Sequence, residues 1–505
     1  MPITRRSLTL AAILLGATAA AGPKDADTAV WWKITAALSN DSMEGRDTGS
    51  PALDRAAGLV AARLAAAGVK PLGDGGTWFQ RFPLDEVALT RADVKAGAMP
   101  LAFLDEFTIT ANAGLPRSFS FPLAYRGYCG AAALGDVQGK LVICHGTHRT
   151  GLPSAAERLT AVRTAGAAGL ITIADPGFTV EPPRWPVAYE RVVTIRGQDP
   201  KPDAFINMRL KAEALGKLVP ARDAAALIAS GSAGQPLPSF DSTVKLSGRL
   251  QLATRHYTAP NVVGILPGTD PTKARQAIVL TAHLDGYGHG KPVHGDSIYN
   301  GTLDDAAYVA LLIRLAEHRH GVGFARPLVF AIVSGEEKGL LGSKWFVAHP
   351  PVPLSSIAAD INLDQLRPIF PLKILTVHAK DDTTLGDDAT SIAASMGIRT
   401  QNDPEPERNL LRRSDHWNFL EHGIPAVNFV FGYEPASESE RIYRHWYRTG
   451  YQTPQDDLKQ PIDWRAAADF NRFFYALVDK VANDPAPPAW KAGSKLRAEL
   501  GSAPR

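Results

Sequence analysis

His283, Asp285, Asp304, Asp305, Glu336, Glu337 and Asp364 are the residues whose types and spacing could do chemistry. One imidazole among carboxylates supplies nitrogen and oxygen donors, a set that suits a borderline divalent ion such as zinc. An ion held in this way lowers the pKa of a bound water toward about 7 and polarises a carbonyl. A further carboxylate beside it can then move a proton. Taken singly, each residue has a plainer reading. Asp304 and Asp305 can cap a helix through its free N–H groups, Glu336 and Glu337 can form a solvated turn, and Asp364 can close a strand. The H-x-D before, the E-E after and the acids at successive strand ends make them a constellation.

The elements that must position these residues begin after residue 260. Buried-type strands are expected over 276–283, 326–334, 357–364 and 426–431, with helices over 304–320, 339–349 and 464–483. Strand and helix alternate as in parallel β-α-β units, so the expected fold is α/β: a mostly parallel mixed sheet with helices on both faces. Ligands gather outside the carboxyl ends of strands in such sheets. His283 and Asp285 follow the first strand, Glu336 and Glu337 the second, and Asp364 the third. Asp304 and Asp305 open the helix after a glycine-rich loop.

Upstream the texture differs. A helical, alanine-rich pattern over 52–67 follows the turn-like SMEGRDTGSP. From about 100 to 250 come short β-branched runs, GKLVICHG, AAGLITIADP and RVVTIRG, with a helix-like stretch between the first two, so a smaller β-rich α/β unit is expected. The stretch 244–268 alternates polar and apolar residues, as a hairpin or extended pair would. Cys129 and Cys144 lie here, away from the acids, and read as a disulfide or two buried thiols rather than as a nucleophile and its partner. There is no G-x-S-x-G elbow, no H-E-x-x-H helix and no phosphate-binding G-x-x-x-x-G-K-[ST].

The chain's 505 residues allow two or three folding units, and 45% hydrophobic with 21% charged residues excludes disorder or a coiled coil throughout. With 54 basic and 51 acidic residues the formal charge is +3, which does not suggest a nucleic-acid partner. Residues 1–21 carry Arg5 and Arg6, an apolar run from Leu8 to Leu15 and small residues after it. This is the pattern of a secretory signal peptide, with the arginine pair also fitting twin-arginine export. The run is too short to span a bilayer, so the expectation is an exported protein, periplasmic or secreted, with no membrane span after signal removal. The Pro/Ala/Lys stretch 486–505 is expected to be a mobile tail.

In order along the chain, TAHLDGYG, NGTLDDAAYVALLIRLAE, SGEEKGLLGS, NLDQL and SDHWNFLEHGIPAVNF resemble the successive motifs of the co-catalytic zinc aminopeptidases. That family also contains glutamate carboxypeptidases. The resemblance covers about 255–483, and SMEGRDTGSPA with its helix resembles the family's N-terminal segment. YRGYCGAAALGDVQGKLVICHG and TAGAAGLITIADP are similar to the protease-associated domain often inserted in such enzymes. After the signal peptide read at 1–21, the resemblance implies peptidase segments at 29–98 and 255–485, and an inserted domain at 99–254.

Residue by residue, the resemblance implies His283, Asp304 and Asp364 as ligands of one zinc, with Asp304 bridging to a second zinc held by Glu337. Glu336 would be the general base, and Asp285 would hydrogen-bond His283 and fix its orientation. Tyr451 matches a tyrosine that stabilises the tetrahedral intermediate in some relatives. The family's last ligand is a histidine in a Y-H-x-P-x-D segment. Here that segment reads GYQTPQDDL, with Gln452 at the ligand position. A neutral amide oxygen is a poor zinc ligand, which leaves the second site weak or completed by another group, His416 and His445 being the candidates nearby. The implied activity is hydrolysis of peptide substrates by an exopeptidase, foremost an aminopeptidase. The alternatives are a carboxypeptidase or dipeptidase, and a catalytically impaired peptide-binding homologue.

Overall fold

The computed structural model describes residues 22–147, 149–176, 187–198, 200–364 and 366–501. The expected signal peptide at 1–21 lies outside the described residues. Among the described residues, no helix is long and apolar enough to cross a membrane.

The site-bearing half is built on helices α1 (Ala26–Ser39) and α2 (Pro51–Ala66), strands β1 (Phe79–Ala96), β2 (Ser239–Leu266) and β3 (Ala277–His283), and helix α3 (Ala307–Arg319). Strands β4 (Leu328–Val333), β5 (Ile357–Asn362), β6 (Ile374–His378) and β7 (Ala426–Phe431) follow, and helix α4 (Trp464–Asn483) closes it. In space the strands run β6-β7-β5-β3-β4-β2. β3 pairs in parallel with β4 and β5, and β5 with β7, while β2 and β6 pair antiparallel at the two sides. This is the expected mostly parallel mixed sheet. Every residue of β3 and β4 is buried, because both faces of a parallel sheet are covered. The strand period of two divides them: Ile278, Leu280 and Ala282 enter one core with Leu328, Phe330 and Ile332, whereas Val279, Val329, Ala331 and Val333 enter the core on the opposite face. On the first face α1 lies against α3, and the Trp31 indole N–H donates to the Ala307 carbonyl (2.6 Å).

A second core forms from residues of the middle segment. Leu141–His145, Gly169–Ile173 and Ile206–Leu210 pair in parallel, with the expected helix, Ala155–Thr164, between the first two. Ser118–Arg126 joins them to β2. Cys129 and Cys144 are disulfide-bonded on one face of this sheet.

Three features differ from expectation. The alternating stretch 244–268 forms the extended pair rather than the hairpin: up to Leu266 it belongs to one 28-residue strand, β2, paired with β1 from Val262↔Phe79 to Leu246↔Ala96. The boundary expected at 254/255 therefore falls within a continuous strand that serves both cores, through Val262 in one and Leu246 and Leu250 in the other. The helix expected from 304 begins at Ala307, after a turn over Thr302–Ala306 in which Asp304 and Asp305 have non-helical backbone. Asp456 binds the N–H groups of Leu303 and Asp304 and holds that turn open. Of the tail expected to be mobile, the described part, 486–501, is docked: the Trp490 indole donates to Gly423 O (2.8 Å), and Ser494 caps Lys495–Leu500, whose Leu496 is buried.

Candidate metal centre

His283 is the last residue of β3. Asp285 lies two residues past it, Glu336 and Glu337 start the turn after β4, and Asp364 lies two residues past β5. Parallel neighbours end at the same side of the sheet, so the crossovers deliver all of these side chains to one crevice, and the turn before α3 brings Asp304 in from the side. His283 Nε2 lies 3.2 Å from Asp304 Oδ1, 3.7 Å from Asp364 Oδ1 and 4.0 Å from Glu336 Oε2. Donor atoms of His283, Asp304 and Asp364 all lie within 4.8 Å of one another, as do those of His283, Glu336 and Glu337.

The group is buried and electrically unbalanced. Asp304 Oδ2, Asp305 Oδ1, Glu337 Oε1 and Asp364 Oδ1 are buried without a hydrogen-bond partner among the described residues, an arrangement that is costly unless something cationic meets them. Burial, reinforced by neighbouring acids, drives the carboxyls of Asp305, Glu336 and Glu337 well above their ordinary range. Burial alone would hold the His283 imidazole down, but the surrounding carboxylates, Glu336 foremost, override it and push it well up. In the absence of metal the cluster thus favours retaining protons to relieve its charge. A divalent cation relieves the same charge, and the imidazole-plus-carboxylate donor set fits zinc.

Several partners escaped the sequence reading. The expected link from Asp285 to His283 runs through the backbone: His283 Nδ1 lies 3.1 Å from Asp285 O and 3.7 Å from its carboxylate. The Asp285 carboxylate instead accepts from Thr48 Oγ1 (2.8 Å) and Glu336 N–H (3.2 Å), joining the ends of β3 and β4. Asp305 Oδ2 accepts the His283 backbone N–H (3.1 Å). Arg46, fully buried, donates to the carbonyls of Leu284, Leu38, Asn300 and Gly301. Arg46 and Thr48 belong to SMEGRDTGSP, and Asp456 to GYQTPQDDL. Their signal was membership of segments already singled out, but their partners are distant in sequence.

The remaining expected residues make contacts of their own. Tyr451 is buried, and its hydroxyl accepts from Gln452 Nε2 (2.9 Å) and Arg413 Nη2 (3.3 Å). Gln452 Oε1 accepts from Tyr189 Oη (3.2 Å). His416 is buried and stacked on His378, ring centroids 5.9 Å apart. Neither His416 nor His445 belongs to the two groups of donors around His283.

Comparison with known proteins agrees with the fold. The chain is 24% identical over 238 residues to leupeptin-inactivating enzyme 1 of Streptomyces exfoliatus, covering 46% of this chain and 50% of that protein. It is 22% identical over 262 residues to aminopeptidase YwaD of Bacillus subtilis, covering 51% of each. The chain thus spans about half the length of these curated relatives. Among solved structures, an aminopeptidase from Aneurinibacillus sp. strain AM-1 superposes with a TM-score of 0.61 at 18% identity, over 91% of this chain and 95% of that one. BSAP, a zinc aminopeptidase from Bacillus subtilis, superposes with a TM-score of 0.59 at 18% identity, over 90% and 95%. At such identities the likeness carries the fold. The model of peptidase family M28 matches residues 261–478, a stretch that spans β3, β4, β5 and all the acids gathered around His283.

Proposed function

We propose that the chain is an exported zinc-dependent aminopeptidase. The observation that carries this reading is the convergence of His283, Asp304, Asp364, Glu336 and Glu337 on one buried crevice with carboxylate oxygens left unpartnered. The aminopeptidases among its relatives and structural neighbours support it. His283, Asp304 and Asp364 would hold one zinc, and Asp304 with Glu337 a second. Bound zinc supplies Lewis acidity toward a water and the scissile carbonyl. Glu336 takes the proton of the attacking water and passes it to the departing amine. Its backbone N–H is fixed on Asp285, so the base is held in register with His283. Tyr451 presents a hydroxyl for the negative charge that develops on the carbonyl oxygen. The second core is read as the inserted protease-associated unit.

Carboxypeptidase action has one observation in its favour. A cleft of ≈ 320 Å³ beside Glu337 is lined by Arg191, Arg209 and Lys338, cations that suit a terminal carboxylate. Asp47 already meets two of them, Arg191 at 2.8 Å and Lys338 at 3.1 Å, and the aminopeptidase reading is preferred for that reason. Turnover of aminoacyl anilides is set against turnover of N-blocked peptides with a free carboxylate. Release from the anilides, lost by at least about 100-fold in Glu336→Gln with zinc retained, supports the proposal. Turnover of the blocked peptides alone overturns it.

A further inference from the structure

At the position where the family carries its last histidine ligand, the Gln452 side chain is already committed. Its amide oxygen accepts the Tyr189 hydroxyl at 3.2 Å, and its N–H donates to the Tyr451 hydroxyl at 2.9 Å. Its backbone lies at φ 53°, a region that residues other than glycine seldom occupy. Tyr189 in turn stacks on Tyr287, ring centroids 6.2 Å apart. A hydroxyl oxygen has two acceptor lone pairs, and on Tyr451 both directions are met by N–H donors, Gln452 Nε2 and Arg413 Nη2. This orients the phenol to act as a donor with its own proton.

We infer that Gln452 is a positioning residue and not a metal ligand: it aims the Tyr451 hydroxyl and ties it to Tyr189 of the middle segment. The inference rests on the peptidase reading for the role of Tyr451, but its ligand half does not. Two consequences follow. The second metal position is left with carboxylates from Asp304 and Glu337 and no imidazole, so it binds more weakly than the position at His283. The tyrosine that meets the developing charge is set by Gln452, which is itself held by Tyr189 of the middle segment.

The test uses the full mature chain and zinc itself as probe. Zinc per chain and zinc affinity are measured by elemental analysis and chelator competition for the wild type, Gln452→Ala, Gln452→His and Tyr189→Phe, with kcat and KM on an aminoacyl anilide in parallel. In Gln452→Ala, zinc content and affinity should match the wild type while kcat falls about tenfold and KM stays within about twofold. Gln452→His should bind the second zinc at least about tenfold more tightly. Tyr189→Phe should lower kcat with zinc unchanged. Loss of a zinc, or a tenfold weaker site, in Gln452→Ala would make Gln452 a ligand and overturn the inference, as would an unchanged kcat. Should the wild type hydrolyse no anilide, the peptidase reading fails, while the zinc measurements still decide whether Gln452 is a ligand.

Discussion

Replacing Arg46 with methionine should damage the fold and the metal centre together. The guanidinium is fully buried and donates four hydrogen bonds, to Leu284 O at 2.7 Å, Leu38 O at 2.9 Å, Asn300 O at 2.7 Å and Gly301 O at 3.0 Å. It thereby clamps the H-x-D loop, the end of α1 and the loop that leads into Asp304. Methionine fills the stem but satisfies none of these carbonyls. Each acceptor left buried and unpaired costs about 1–3 kcal/mol, so four of them set a loss of at least about 4 kcal/mol. For a cooperative unit of about 300 residues, at about 2.1 cal/mol/K of unfolding entropy per residue, 1 kcal/mol moves Tm by about 1.6 °C, giving a fall of at least about 6 °C. There is a second effect. Burial lowers the Arg46 pKa to about 10, but Asp285, Asp456, Asp305 and Asp304 oppose that fall and keep it charged at neutral pH. Removing the charge leaves the carboxylates more strongly repelled, so the metal-free protein should lose more Tm than the zinc-loaded one. Calorimetry with and without zinc checks both effects, and Arg46→Lys, whose single amine cannot reach four carbonyls, should recover only part of the loss. A Tm within about 2 °C of the wild type in both states would refute the clamp.

Other outcomes follow from the same geometry. Asp285→Asn and Thr48→Val disturb the support behind His283 and should weaken zinc affinity by about 10–100-fold in chelator competition. Replacing Cys129 and Cys144 with serine releases a loop with a sequence separation of 15 residues. It should destabilise the second core by about 3 kcal/mol in urea, with zinc content unchanged. Burial works against the Asp27 carboxylate, but Arg314 overrides it and holds the carboxyl below its usual 3.8. The stabilisation is therefore complete above that value and lost as pH falls through the lower folded pKa, so Asp27→Asn should flatten the acid limb of Tm against pH. An alanine at Gly45, where φ is 65° and a Cβ would lie 2.5 Å from Tyr299 O, should lower Tm and zinc retention together.

The sequence was most informative where one residue reports on its own surroundings. β4 is an unbroken apolar run and β3 is broken only by Thr281 before its final His283, because both of their faces are covered, and the acids that follow mark where the strands emerge. His283, Glu336, Glu337 and Asp364 could be placed on that basis. Asp304 was placed near the site but on the wrong backbone, because the turn over Thr302–Ala306 is held by Asp456, some 150 positions away in sequence. Arg46, Thr48 and the Tyr189–Gln452 contact were hidden for the same reason: a buried hydrogen bond between distant segments leaves no local periodicity. β1 was missed altogether, since its alternation is satisfied by different cores at its two ends, Phe82 and Leu84 in one, Leu89 and Val94 in the other.

The ribbon of β1 and β2 has a mechanical consequence. Two lobes joined by a loose linker would rotate about a hinge; these two share a ladder whose rungs are hydrogen bonds from end to end. Bending it means winding or unwinding the ribbon, so motion of the middle segment relative to Glu337 is a torsion with a restoring force. The compliant joint of that spring is the register slip at Gln251/Leu252, the one irregularity along the pairing. Tyr189 is coupled to the same spring, because Arg191–Ile195 begins two residues after it and pairs with β1 over Ala88 to Leu84. A load applied at the far lobe would therefore reach the mouth of the crevice as a twist.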